Sequence, residues 1–455
     1  MSELPNGWAK ACISDLADLN PKQAFDDEIV AGFVPMSHAP TNFRDKLRFD
    51  ERPWGEIKKA YTNFKDGDVI FAKVTPCFEN GKAAFVEGLP NGVGAGSSEF
   101  FVLRTSCDEV SAKYLLALVK SYDFLRRGAE NMTGAVGLRR VPKQFVESYS
   151  VPVPPAAEQT RIAAKLDQLL AHVDTLKARV DGIPVLLKRF RQSVLASAVS
   201  GRLTMDWRDQ QNKQPSGGEL APAGWTQTMF GEICREITVG YVGKMADQYQ
   251  EEGVPFLRSQ NVRPMRFSPD NILYISKEFH SSIFKSRLEP GDLAVVRSGA
   301  PGVTCVIPDS LPIANCSDLV IARPSDKLNS WFGCIYMNSE VAQRNVAENQ
   351  VGVAQQHFNV GSMKKMPINL PPLTEQTEIV RRVEQLFAFA DQLDARVKAA
   401  QVRIDRLTQS ILAKAFRGEL MPQDPDDEPA SVLLERIRVQ RASSPKARRG
   451  TKALV

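Results

Sequence analysis

The chain has 455 residues, of which 43% are hydrophobic and 24% charged, a composition that excludes disordered and collagen-like proteins and fits about three domain-sized units. A net charge of +5 suits a polyanionic partner and equally suits none. No basic-then-apolar leader opens the sequence and no stretch approaches the roughly 18 apolar residues of a membrane span, so a cytoplasmic protein with no membrane contact is expected.

A first globular part is expected over residues 1–153, opened by Leu4-Pro5-Asn6-Gly7-Trp8. Asp68–Lys73 and Glu99–Leu103 are short apolar runs bounded by turn formers and read as strands, with Gly67-Asp68 turning into the first. Beyond it, Lys73-Val74-Thr75-Pro76 sets a basic residue and a hydroxyl before a proline turn. Lys73 and Thr75 are candidate phosphate contacts or, equally, solvated strand ends. The glycine-rich Gly92–Ser97 leads into a strand-like run rather than a helix, so no helix N-terminus awaits a phosphate there, and it reads as a turn. The part ends on a polar loop, Thr133 to Arg140, in which Thr133, Arg139 and Arg140 are candidate DNA contacts because arginine can grip guanine through paired hydrogen bonds. The alternative is a loop whose polar groups face water.

Pro154-Pro155-Ala156-Ala157-Glu158-Gln159 then stops the extended segment and opens a helix with acceptors near its N-terminus. Apolar residues follow at Ile162, Leu166, Leu169, Val173, Leu176, Val180, Ile183, Leu187, Phe190 and Val194, alternating steps of four and three. That is the seam of a coiled coil. Gly182 and Pro184 fall inside it and predict a kink or short break, and His172 is expected beside the seam. This helix is expected over 154–203, followed by a linker over 204–222.

The chain then begins again. Ala221-Pro222-Ala223-Gly224-Trp225 restates the opening, the two tryptophans lying 217 positions apart, and Pro371-Pro372-Leu373-Thr374-Glu375-Gln376 restates the helix start at the same offset. Between these anchors the offset drifts: Pro290-Gly291-Asp292 matches Asp66-Gly67-Asp68, and Ile321-Ala322-Arg323 matches Val102-Leu103-Arg104. A second, divergent globular part is expected over 223–370 and a second helix over 371–420, its seam running from Ile379 through Val383, Leu386, Ala390, Leu393, Val397, Ala400, Ile404 and Leu407 to Ile411. Arg297 and Ser298 stand where Lys73 and Thr75 stood in relation to a proline turn. Gln355, Gln356 and His357 close the second polar loop, glutamine being the side chain that grips adenine. The expected fold class is therefore α+β, a tandem pseudo-twofold repeat of two mainly β recognition domains, each followed by a long helix, the helices pairing antiparallel. About 33 residues of seam would span roughly 50 Å. Residues 421–455 form a tail whose basic end, Arg436 to Lys452, is expected to be solvated or to touch DNA or a partner.

Catalytic signals are poor. No Walker lysine loop and no amino-methyltransferase motif is present. The four histidines, His38, His172, His280 and His357, lack metal-ligand spacing, and the seven scattered cysteines contain no Cys-x-x-Cys pair. No catalytic residue, metal or cofactor is expected.

The two globular parts, each closed by a helix opening Pro-Pro-x-x-Glu-Gln, together with Gly201–Arg208 and Asp427–Arg438, resemble the specificity subunits of type I restriction-modification enzymes over nearly the whole chain. The resemblance implies a non-catalytic subunit that reads double-stranded DNA. It also implies two modification subunits as partners, which methylate adenine, and restriction subunits that supply ATP-dependent cleavage. A stand-alone DNA-binding regulator, or an enzyme with an unrecognised site in one repeat, are the rival readings.

Overall fold

The computed structural model describes residues 4–135, 137–211, 222–348 and 357–443. It divides into two compact units, one comprising 1–181 and 399–455, the other 182–398. Each contains one globular repeat, the start of one long helix and the end of the other.

In the first unit, an antiparallel sheet orders Ala17–Leu19, Phe100–Thr105, Val69–Ala72 and Ala83–Phe85. A second sheet orders Asp50–Pro53, Val30–Val34, Val93–Gly96 and Thr62–Lys65. The second unit repeats the first of these with Cys234–Val239, Leu319–Pro324, Leu293–Val296 and Thr304–Val306, and it too has a second sheet containing one parallel pair. The matching Gly-Asp segments thus lead into the same strand of the same sheet. In each unit a helix pair follows that sheet, Ala112–Val119 with Tyr122–Glu130 and Ser330–Met337 with Glu340–Glu348. Ser111, Ser121 and Asn329 cap three of these helices by accepting hydrogen bonds from backbone N–H groups of the first turn.

Gly92–Ser97 does not form the expected turn. Val93–Gly96 is a buried strand, parallel to Val30–Val34 and antiparallel to Thr62–Lys65. Its glycines are there for close approach: a Cβ on Gly94 would lie 2.8 Å from the Gly32 carbonyl oxygen, and one on Gly96 would collide with that of Val34.

The long helices run Ala156–Val199 and Leu373–Phe416, 44 residues each. The first runs through Gly182 and Pro184 without the short break that is one of the two outcomes expected there. Pro184 removes one backbone hydrogen bond and crowds the carbonyl four residues earlier, a combined cost of about 3 kcal/mol in a helix interior, and the buried residues Val173 and Leu187 on either side hold the two flanks down. In the first unit the helices run antiparallel, since Lys177 bonds Asp405 at 2.9 Å while Gln401 bonds Asp181 at 2.8 Å. Ile162 and Leu166 share a core there with Leu412 and Ala415. In the second unit Arg191 meets Asp391 at 2.6 Å, and Val194, Leu195 and Ala198 share a core with Ile379, Val380 and Val383. Two seam positions depart from expectation, Leu176 and Leu407 being 46% and 42% exposed; His172, next to the buried seam residue Val173, is exposed.

The Glu-Gln pairs prove to be rivets rather than simple helix-start acceptors. Glu158 is buried and accepts from the Trp8 indole N–H at 2.9 Å; Glu375 is buried and accepts from Trp225 at 3.0 Å. Gln159 accepts from the Ser111 backbone and donates to the Pro154 carbonyl, as Gln376 does with Asn329 and Pro371. Each glutamate also meets the segment that follows the other helix: Gln423 for Glu158, and Thr204, at 2.7 Å, with Arg208 for Glu375.

The tail also departs from expectation. Ala430–Ser443 is a helix that buries Ala430, Leu433, Leu434 and Ile437 in the first unit's core. Arg436 pairs with Glu109 and Glu428, and Arg441 with Asp18. Residues 444–455 lie outside the described residues. Among the described residues no helix is long and apolar enough to cross a membrane.

Candidate nucleic-acid interface

Two segments far apart in sequence meet in the first unit. Thr133–Ala135 and Leu138–Arg140 form an antiparallel hairpin with Thr133 opposite Arg140 and Gly134 opposite Arg139. Gly134 has φ +123°, and a Cβ there would stand 2.7 Å from the Leu138 carbonyl oxygen, so the hairpin needs glycine at this point. The segment after strand Val69–Ala72 lies along the hairpin's other side: Val74 pairs antiparallel with Arg140, the Thr75 N–H donates to the Arg139 carbonyl at 2.9 Å, and the Val141 N–H donates to that of Lys73 at 2.8 Å. Lys73, Thr75, Thr133, Arg139 and Arg140 therefore share one three-stranded ribbon.

The second unit repeats the central contact. The Phe358 N–H donates to the Arg297 carbonyl at 3.1 Å, the counterpart of the bond from Val141 to Lys73. Arg297, Ser298 and His357 come together there, Ser298 Oγ and His357 Nδ1 lying 2.7 Å apart. Gln355 and Gln356 lie outside the described residues.

The hydroxyls have internal partners. Thr75 Oγ1 lies 3.0 Å from the Arg139 carbonyl oxygen and accepts the Arg139 N–H at 3.2 Å. Thr75 thus braces the ribbon, and Ser298 is held against His357 in the second unit. Thr133, at the hairpin's outer strand, is exposed.

Two acids at these sites carry no sequence motif. Glu99 grips Arg140 through both carboxylate oxygens, at 2.9 Å to Nε and 2.8 Å to Nη2. The hydrogen bonds from Arg140 hold the Glu99 carboxyl below the usual range against the opposing effect of burial, and the nearby charge of Lys73 adds to the lowering. In the second unit Asp318 lies 3.7 Å from Arg297 Nη1. The signal was present in the repeat: Ser98-Glu99-Phe100 and Ser317-Asp318-Leu319 fall at the offset that matches Val102 to Ile321. Arg139 is held more loosely, 3.4 Å from Glu79. Among the described residues no group of histidine, cysteine and acidic side chains could hold a metal ion.

Fold and site define an α+β tandem-repeat protein in which each globular repeat presents a basic edge segment paired to the residues that close its polar loop, beside a long helix. The profile of the type I restriction modification DNA specificity domain matches residues 5–184 and 318–400. The specificity subunit of the EcoKI enzyme of Escherichia coli K12 is 36% identical over 97% of both chains, and that of StySPI from Salmonella potsdam is 31% identical over 97% of both. The chain belongs to the family of type I restriction enzyme specificity subunits. Its fold is shared with a chain from a structure of a type I restriction-modification system, at TM-score 0.66 and 22% identity, covering 92% of this chain and 100% of that one. It is shared also with the HsdS subunit from Thermoanaerobacter tengcongensis, at TM-score 0.62 and 22% identity, covering 92% and 98%.

Proposed function

We propose that this chain is the non-catalytic DNA-recognition subunit of a type I restriction-modification complex, reading double-stranded DNA through residues 1–153 for one half of a bipartite target and 223–370 for the other. Two modification subunits supply adenine methylation, and restriction subunits supply ATP-dependent cleavage. Lys73, Arg139, Arg140, Arg297 and His357 face the DNA, with Thr133 at the rim; Thr75 braces the ribbon, and Ser298 is held against His357. Gln355 and Gln356, which lie outside the described residues, are further candidate base contacts by residue type. The observation that carries this reading is the recurrence, in both repeats, of a basic strand end hydrogen-bonded to the residue that follows a polar loop, at 2.8 and 3.1 Å. Arginines at a solvent-facing β-ribbon suit major-groove readout.

The test is selection from a pool of randomised duplexes by the chain assembled with its modification subunits. Arg139→Ala with Arg140→Ala should erase preferences in one half of the target and leave the other half intact. Preferences altered in both halves, or binding weakened without change of sequence, would remove this loop from base reading. Equal affinity and specificity for the chain alone would favour a stand-alone regulator.

A further inference from the structure

We propose that Glu99 is a specificity-determining positioning residue: its two-oxygen grip on one edge of Arg140 presents the free end of that guanidinium to a single guanine in the first half of the target. The inference rests on the reading of the ribbon as a DNA-contacting surface.

The geometry is specific. Glu99 engages Nε and Nη2 of Arg140 and leaves Nη1 outside the grip. Nη1 and the second hydrogen of Nη2 form the end-on pair of donors, which matches the O6 and N7 acceptors of guanine. A free arginine samples many rotamers and is drawn to any phosphate, which adds affinity without sequence information. An arginine fixed along one edge has its charge balanced and its direction set, so phosphate attraction falls while the guanine contact keeps its geometry. The carboxylate itself is well placed for this task. It sits at the turn into strand Phe100–Thr105, its backbone N–H is tied to Ser97 Oγ at 3.2 Å, and its backbone carbonyl accepts the Lys73 N–H at 2.9 Å. Lys73 and Arg140 are the cations that face it. The second repeat places Asp318 in the same sequence position, 3.7 Å from Arg297, the counterpart of Lys73, so an acid beside the basic strand end is a feature of both copies.

The experiment uses the full chain assembled with its modification subunits, selected against a randomised duplex pool, with binding to an unrelated duplex followed over a salt series. For Glu99→Gln, preference for guanine at one position of one half-site should fall about tenfold, with the other half-site unchanged as the internal control for folding. Affinity for the unrelated duplex should rise, with a log–log salt slope steeper by about one. Glu99→Asp should restore part of the preference, because it keeps the charge on a shorter arm. If Arg140→Ala erases a guanine preference while Glu99→Gln leaves every position untouched, the inference fails and the reading of the ribbon stands. Losses spread over both halves with a lowered melting temperature would also overturn it, making Glu99 a scaffold residue. If Arg140→Ala and Glu99→Gln both leave all preferences unchanged, the ribbon is not the reader and both fall.

Discussion

At the scale of single residues, the two copies place the same side chains in unequal surroundings. Asp68 is held by Arg104 through two bonds of 2.8 and 2.7 Å. Its counterpart Asp292 is as deeply buried, but Arg323 has turned toward Glu236 and approaches Asp292 only to 3.5 Å. Burial therefore dominates and pushes the Asp292 carboxyl up to about 6. A carboxyl raised in the folded state binds its proton there at pH values where the unfolded chain has already lost it, so stability drains away as pH climbs from about 4 to about 6 and the loss is complete above that. Asp292→Asn mimics the protonated form. Relative to the wild type it should gain stability over that window and level off above it, by an amount on the order of 3 kcal/mol. Urea unfolding of both proteins at pH 4.5 and 7.5 checks this; an equal difference at the two pH values would show that Asp292 titrates normally. The sequence made the Gly-Asp repeat plain, but not which of its aspartates had the looser guanidinium partner, because that depends on whether the arginine of the neighbouring strand turns toward the aspartate or toward Glu236 on its other side. The Glu-Gln pairs were similar: their spacing marked a helix start, and only the fold revealed that the tryptophan at the same 217-residue offset is what the glutamate holds.

At the scale of elements, period and punctuation carried the reading where an element obeys its local rule. The Gly-Asp strands, the Pro-Pro stops and both seams were legible for that reason. Gly92–Ser97 is a strand instead of a turn, and no break falls at Pro184, because tertiary packing overrode a local preference: close backbone approach uses glycine in a strand, and a long packed helix absorbs one missing bond. The C-terminal helix was missed because its apolar stripe, Leu433, Leu434 and Ile437, lies among charges that suggest a solvated tail. The hairpin Thr133–Arg140 offers a test of element geometry. Gly134→Ala would force both a left-handed φ and a clash with the Leu138 carbonyl, whereas Gly137, at φ +84°, has open space around its would-be Cβ. Gly134→Ala should weaken discrimination in one half-site at least several-fold with little change in melting temperature, since the hairpin is exposed. Gly137→Ala should do so less. Equal effects of the two substitutions in a duplex selection would mean that the hairpin's conformation does not matter to recognition.

At the scale of the whole molecule, the two long helices are the segments through which the chain passes from one compact unit to the other, at 181–182 and at 398–399. Each unit is closed by the same device, a tryptophan and the segment following the other helix converging on a buried glutamate. The segments proposed to read DNA each lie within one unit, and the crossings at 181–182 and 398–399 lie outside them. Four residues inserted into both helices at these crossing points add about 6 Å of helix, roughly two base-pair steps. An insertion of four is also one of the steps of the seam itself, so it unwinds the pairing locally without turning the apolar stripe outward. Single-molecule methylation sequencing of cells carrying the doubly extended chain and its modification subunits should show both half-sites unchanged in sequence and the unread gap between them lengthened by about two base pairs. A gap of the original length in an assembled, active variant would mean that the helices do not set the spacing. Altered half-sites at a new gap would mean instead that the units do not read DNA as self-contained bodies.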